Sequence, residues 1–298
     1  MRVLVTGGMG FVGQHVAAAL KADGHSVKVV DDLSASRLED AWADIDAFSQ
    51  VALADLAPAY CDVDAVVHLA ARTSVPESCA HPGGYFETNV RGTAALLAAM
   101  CEAGCGRIIY SSTAAVYGFA SADGPIPEDA PAAPASPYAA TKLAAEDLIL
   151  GWARTYGWDA CSLRYFNPYG PRENHRPETH LVPALIRAAA TGEPAPLYNR
   201  GEQRRDLVYV GDLAAAHAHL LALDGIHVLN VGSGSARSPR EVADMLGAPV
   251  RFEHGRGGEP PFLLANIDRI AALGWAPATT IEEGLAMTAE WFNEKEAT

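Results

Sequence analysis

Tyr138 and Lys142 lie four residues apart in Ser136-Pro137-Tyr138-Ala139-Ala140-Thr141-Lys142, so on a helix their side chains share a face. A phenol with a reference pKa near ~10 is no base at neutral pH. A neighbouring cation favours the phenolate and lowers that value by roughly one to three units, so tyrosinate can take a proton from an alcohol. The segment Ile109-Tyr110-Ser111-Ser112-Thr113 reads as a strand. Hydroxyls at the carboxyl end of a central strand face the crevice where α/β sheets bind ligands. Thr113 is therefore placed to hydrogen-bond the oxygen that Tyr138 deprotonates. The chemistry these residues suit is oxidation of an alcohol, which requires a hydride acceptor.

A site for that acceptor stands at the amino end of the chain. Gly7-Gly8-Met9-Gly10-Phe11-Val12-Gly13 follows the short apolar strand Val3-Leu4-Val5 and precedes a helical stretch. Glycines there permit a tight turn and let backbone N–H groups approach a pyrophosphate at a helix N-terminus. Asp31 closes the next apolar run, Val27-Lys28-Val29-Val30, where a carboxylate accepts from adenosine ribose hydroxyls and repels a 2′-phosphate. Asp32 follows, and no basic residue occurs before Arg37, which favours NAD over NADP.

The elements that must carry these residues alternate between two periods. Val3–Val5, Val27–Val30, Ala65–Leu69, Arg107–Tyr110 and Cys161–Tyr165 read as strands, and the stretches through Val16–Leu20, Thr88–Ala103 and Tyr138–Ala153 as helices. This order predicts an α/β fold: a Rossmann doubly wound parallel sheet covered on both faces, with a smaller α/β C-terminal substrate-binding lobe. The expected division is 1–166 for the NAD-binding domain and 167–298 mainly for the lobe, with some segments returning to the first domain. Between Asn167 and Gly201 prolines are frequent and regular runs few, which predicts loops around a ligand. Ser238-Pro239-Arg240-Glu241 and Thr280-Ile281-Glu282-Glu283 carry the capping-box spacing of helix starts.

Composition narrows the partners. With 36 acidic against 22 basic residues, the formal charge of -14 repels phosphate backbones and anionic lipid, so neither nucleic acid nor a membrane surface is expected as a partner. The longest apolar stretch, Ala94–Cys101, falls far below the ~18 residues of a membrane span, and the apolar start is too short for a signal peptide. The five cysteines, at 61, 79, 101, 105 and 161, lack a Cys-x-x-Cys spacing and read as core fillers in a reducing compartment. A cytoplasmic protein with no metal site is expected.

Taken in order, the motifs resemble the extended short-chain dehydrogenase/reductases, specifically the nucleotide-sugar epimerase/dehydratase family. They run from Thr6–Gly13 and Asp31 through His68-Leu69-Ala70-Ala71, Ser111–Gly118 and Ser136–Lys142 to Arg164-Tyr165-Phe166-Asn167-Pro168, Arg205–Val210 and Leu273-Gly274-Trp275-Ala276-Pro277. Within the family, the stretch His175–Pro183 looks most like UDP-glucose (UDP-galactose) 4-epimerases. The resemblance implies that Gly7, Gly10, Phe11, Val12, Gly13, Asp31 and Asp32 hold NAD, and that Asp55 contacts adenine. It puts Ala70, Ala71 and Asn89 on the nicotinamide side, with Leu56, Leu69, Ser111, Tyr138, Lys142 and Tyr165 also on the cofactor. Thr113, Tyr138 and Lys142 are the implied catalytic set. For a UDP-sugar, it implies Asn167 and Arg205 on the diphosphate, Arg256 on phosphate and Glu259 on the uridine ribose, with Leu181 also in contact. Tyr198 is expected near uracil, although Asn199 and Arg200 replace the Gly-Asp more usual after it. Leu263 stands where some 4-epimerases carry a bulkier tyrosine, which leaves room for an N-acetylated sugar.

The family's 4,6-dehydratases place an acidic pair directly after the catalytic threonine, and here those positions are Ala114 and Ala115. Methyl groups transfer no protons, so the expected reaction is 4-epimerisation of UDP-glucose/UDP-galactose by transient C4 oxidation and re-reduction on the opposite face. The competing readings are an NAD-dependent nucleotide-sugar C4 dehydrogenase or ketoreductase, an epimerase of UDP-glucuronate or a pentose nucleotide, and a dinucleotide-sensing regulator. The family's habit of pairing through the helices carrying Thr88 and Tyr138 implies a homodimer.

Overall fold

The computed structural model describes residues 1–119, 124–173, 180–254 and 260–296, and its contacts divide the chain into two units. The first comprises Met1–Gly118, Pro131–Tyr165 and Ala214–Leu229; the second comprises 119–130, Phe166–Leu213 and 230–298. The sequence reading drew one cut after residue 166 with returning segments; the chain in fact crosses between the units five times.

The first unit is built on β1 (Arg2–Thr6), β2 (Ser26–Asp31), β3 (Ala47–Gln50), β4 (Ala65–His68), β5 (Arg107–Thr113) and β6 (Asp159–Tyr165). Its seven-stranded sheet runs from the Ile226–Val231 strand through β6, β5, β4, β1 and β2 to β3. Every pairing from β3 to β6 is parallel, with Val3–Thr6 in register against both Val27–Val30 and Ala65–His68. The strand order reverses between β1 and β4, so their carboxyl ends splay into a crevice. The central strands are apolar because helices cover both faces, and β4 is buried throughout.

Helices Phe11–Ala22, Gly92–Ala103 and Pro137–Tyr156 supply the crossovers. Leu4, Val66, Ile108 and Tyr110 of the sheet pack against Leu96, Leu97 and Met100 of one helix and Ala145, Ile149 and Ala153 of another. The last helix starts where its sequence dictates. Ser136 Oγ accepts from the Ala139 N–H at 3.2 Å, Pro137 fills the first turn, and Gly157 closes the far end at φ 69°.

In the second unit, Arg204–Tyr209 is the central strand. It pairs parallel with Asn167–Tyr169 and with Phe262–Leu263, and antiparallel with Ala236–Arg237. A second small sheet joins Ala195–Tyr198 to Val250–Glu253. Both expected capping boxes form: Ser238 and Glu241 exchange backbone bonds at 2.7 and 3.1 Å, and Thr280 and Glu283 at 3.0 and 3.3 Å. One segment differs from the sequence reading. Leu181–Thr191, expected as loop, is a helix, because Pro183 sits in its first turn, where no N–H is needed, and Leu185, Ile186 and Ala188 face the core.

Replacing Ser136 with Ala should lower stability by about 0.5–2 kcal/mol through the lost cap. Urea unfolding should show a lower midpoint at unchanged slope.

Candidate active site

The glycine turn is shaped by closeness rather than flexibility alone. Gly7 adopts φ +68°, and a Cβ there would lie 2.6 Å from the Ala70 nitrogen; a Cβ on Gly13 would lie 2.2 Å from the Gly7 oxygen. The turn thus packs directly against the segment after β4. Thr6 ties the same ends together: its Oγ1 is 2.7 Å from His68 Nδ1, and the Ala70 N–H donates to it at 3.3 Å. His68 Nε2 lies 2.9 Å from Thr93 Oγ1, and burial with the Lys142 charge pushes this imidazole down to about 3, so it is a neutral clamp.

Asp31 closes β2 and is nearly buried. Its Oδ2 accepts from the Met9 N–H at 3.0 Å and its Oδ1 from the Leu33 N–H at 2.9 Å. Burial pushes its carboxyl up while these two bonds pull it back. Each oxygen keeps acceptor capacity for a hydroxyl. Asp32 is exposed and takes the Ser34 N–H and hydroxyl at 2.9 and 2.5 Å. Gly10 caps helix Phe11–Ala22 with no side-chain bond to the first turn, where Phe11 and Val12 stand half-buried. Asp55, exposed, ends a 3₁₀ turn at Leu53–Asp55, and Leu56 next to it is buried.

Thr113 ends β5, and Tyr138 stands in the first turn of the following helix. The Ala115 N–H donates to Thr113 Oγ1 at 3.2 Å, which leaves the threonine's own proton free to be donated. Tyr138 is half-buried, and Tyr85 meets its ring edge-on at 6.4 Å. Burial pushes the phenol above its ordinary value, and Thr113 opposes this. Lys142 is buried, its Nζ 4.5 Å from the centre of the Tyr110 ring. Burial lowers the lysine's own value to about 7, and the Glu146 charge opposes this.

Asn89 lies in a π-helical turn, Phe86–Arg91. Its amide accepts from Arg72 N at 2.8 Å and donates to Arg72 O and Thr141 Oγ1, both at 3.1 Å. The turn after β4 is thereby fixed to the helix bearing Tyr138 and Lys142. Ser111 lies on β5, and the Tyr165 hydroxyl lies 2.6 Å from His217 Nε2. Leu69 and Ala71 flank Ala70, half-buried.

The second unit gathers part of the expected sugar-nucleotide set around its central strand. Asn167 Nδ2 donates to Asp206 O at 3.0 Å, and Leu263 pairs in register with Arg205. Arg205 Nη1 donates to Arg204 O at 3.0 Å. Leu181 opens helix Leu181–Thr191, and Tyr198 ends a strand of the other sheet. Asn199 and Arg200 have φ of 50° and 57°, the left-handed region, which explains the glycine more usual there. Arg256 and Glu259 lie outside the described residues, as does most of the His175–Pro183 stretch. Sequence reasoning missed Glu146, buried one turn beyond Lys142 and paired with Arg164; the i,i+4 spacing of a carboxylate from the lysine was the available signal.

A strand–glycine turn–helix with a carboxylate on β2, beside a threonine–tyrosine–lysine set on β5 and its following helix, defines a dinucleotide-dependent enzyme that oxidises alcohols. The chain belongs to the NAD dependent epimerase/dehydratase family, matching it over residues 3–232. It is 37% identical over 317 residues to UDP-glucose 4-epimerase of Azospirillum brasilense, an alignment taking in 97% of this chain and 90% of that protein. The structure of UDP-glucose 4-epimerase from Thermotoga maritima with UDP-glucose superimposes at a TM-score of 0.92 with 32% identity, covering 99% of this chain and 100% of that one. The UDP-glucose 4-epimerase of Thermus thermophilus in complex with NAD gives 0.89 and 34%, covering 98% and 99%. NAD is the cofactor of the family, and the residues here fit it: the tight glycine turn between β1 and its helix, the first helical turn with no side-chain cap, and Asp31 at the end of β2. Arg37, which a 2′-phosphate would need, is exposed and faces Glu39 at 3.9 Å.

Replacing Gly13 with Ala should leave the purified protein without bound dinucleotide and weaken NAD binding at least about tenfold, read by calorimetric titration. The Lys142 value near 7 against an ordinary 10.5 also fixes a stability trend. Unfolding takes up a proton between those values, so this lysine's contribution is complete at high pH and is lost as pH falls to about 7. Without cofactor, the wild type should therefore gain stability from pH 7 to 10 relative to Lys142→Met.

Proposed function

We propose that this chain is a UDP-sugar 4-epimerase, acting on UDP-glucose and UDP-galactose. The carrying observation is Thr113 at the end of β5 with Tyr138 and Lys142 one turn apart on the following helix, and Ala114 and Ala115 where a dehydratase needs proton-transferring groups. Tyr138 takes the proton of the sugar C4 hydroxyl, while Thr113 holds the same oxygen. NAD held at the glycine turn and Asp31 would supply the acceptor and donor for the C4 hydride. Asn167 and Arg205, with Arg256, hold the diphosphate, so that the 4-keto sugar turns about that tether and presents its other face. Tyr138 then gives its proton back to O4, and the net reaction is an isomerisation. Leu181, Tyr198, Glu259 and Leu263 complete the nucleotide and sugar contacts, and a leucine at 263 leaves space for an N-acetyl group. Gly7, Gly10, Phe11, Val12, Gly13, Asp31, Asp32, Asp55, Leu56, Leu69, Ala70, Ala71, Asn89, Ser111, Lys142 and Tyr165 bind the cofactor.

Cys61, Cys105 and Cys161 are buried as expected of core fillers, whereas Cys79 and Cys101 are exposed; five free thiols suit the reducing cytoplasm as the place of this reaction. Among the described residues no helix is long and apolar enough to cross a membrane. Half-buried Leu143, Leu148 and Trp152 on the Tyr138 helix support pairing of two copies through that helix and Gly92–Ala103.

Protein purified without added NAD should interconvert UDP-glucose and UDP-galactose with no net absorbance in the reduced-nicotinamide band. Tyr138→Phe should lower kcat by about 10²–10⁴-fold. Stoichiometric NADH on adding NAD, with no epimer formed, would make the protein a dehydrogenase instead.

A further inference from the structure

A buried polar network adjoins the proton-transfer site and has no part in the steps above. Glu146 is 1% exposed. Its Oε2 accepts from Ser162 Oγ at 2.7 Å and from Arg164 Nε at 3.2 Å, and its Oε1 accepts from Arg164 Nη2 at 2.5 Å. Arg164 Nη1 donates to the Tyr117 hydroxyl at 2.9 Å, and the guanidinium lies 4.9 Å from the centre of that ring. Buried ion pairs gain little over apolar residues of the same shape, so stability alone does not account for this one.

The surroundings of Lys142 suggest what does. On its own helix stand Tyr138 and Glu146, one turn to either side. From β5 come the Tyr110 ring, Ser112 and Thr113, and from β4 the neutral His68. β6 contributes Ser162, Arg164 and Tyr165, and the turn before Gly92 brings Tyr85 and Asn89, with Glu77 on the Tyr85 hydroxyl at 3.1 Å. Of the carboxylates here, Glu146 is the one fully buried, and Arg164 and Ser162 hold it ionised against the cost of burial. It is also the group that opposes the burial of the Lys142 charge.

We propose that Glu146 is a positioning residue for the reaction: a fixed anion, held by Arg164 and Ser162, that keeps Lys142 an ammonium beside Tyr138. This rests on the reading of Tyr138 and Lys142 as the proton-transfer pair. Glu146 touches neither cofactor nor sugar in this role. Its removal therefore changes when Lys142 is charged and leaves substrate binding alone.

The test is the pH dependence of kcat for UDP-galactose epimerisation by the NAD-loaded enzyme. In Glu146→Gln the alkaline limb should move down by about one pH unit, with KM within about twofold of wild type. Glu146→Asp should keep the wild-type limb. Because Glu146→Gln leaves Arg164 buried without its anion, the double variant Glu146→Gln/Arg164→Met is made alongside to remove both charges. A purely structural role predicts that the double variant recovers the wild-type profile; the proposal predicts a folded enzyme with the limb still shifted. An unshifted limb in Glu146→Gln, or recovery in the double variant, overturns the proposal. Tyr138→Phe, measured in parallel, tests the underlying reading separately: wild-type turnover there would remove the proton-transfer pair itself, whatever Glu146 does.

Discussion

Lys142 carries an amine into the protein interior, and an amine without water gives up its proton unless its surroundings replace the lost solvation. Much of the first unit is arranged around that demand. The face of Tyr110 lies under the ammonium, Glu146 stands one turn on, and the Ser136 cap and Pro137 fix where the helix begins. Because β4, β5 and β6 are parallel, their carboxyl ends lie at one rim of the sheet, with His68 level with Tyr110, and Thr113 level with Tyr165 three residues further on. A sheet with mixed strand directions would scatter them.

The second unit has its own fixed point. Asp206 is fully buried and accepts from Ser233 N at 2.6 Å, Ser233 Oγ at 2.7 Å, and the N–H groups of Gly234 and Ala265 at 3.1 Å each. Desolvation raises its carboxyl, and these four bonds oppose the rise. The same residue offers its carbonyl to Asn167. Arg205 thus owes its position to the carboxylate next to it, which knots three chain segments beneath the strand.

What could be read in the sequence was whatever depends on local spacing. The glycine turn, the Tyr138–Lys142 face, Asp31 at a strand end and both capping boxes are set by residues within a few positions of one another. Helix Leu181–Thr191 was hidden because frequent prolines read as irregular chain, and one proline at a first turn is compatible with either. The Glu146–Arg164 pair joins residues 18 apart on a helix and a strand, so neither neighbourhood announces it. The value of Lys142 was out of reach for the same reason: it depends on how deeply the fold buries the amine, which no spacing encodes.

The π-helical turn at Phe86–Arg91 carries a history as well as a geometry. Such a turn holds one residue more than an α-turn, as an insertion into a regular helix would leave behind. Each residue advances an α-helix by about 100°, so taking one out would swing everything before it by that angle against Gly92–Ala103. Asn89 would leave Thr141, and the chain after β4 would lose its tether to the Tyr138 helix. Length here is a quantity counted to the single residue: a deletion conservative by every measure of composition would rotate the rim out of phase.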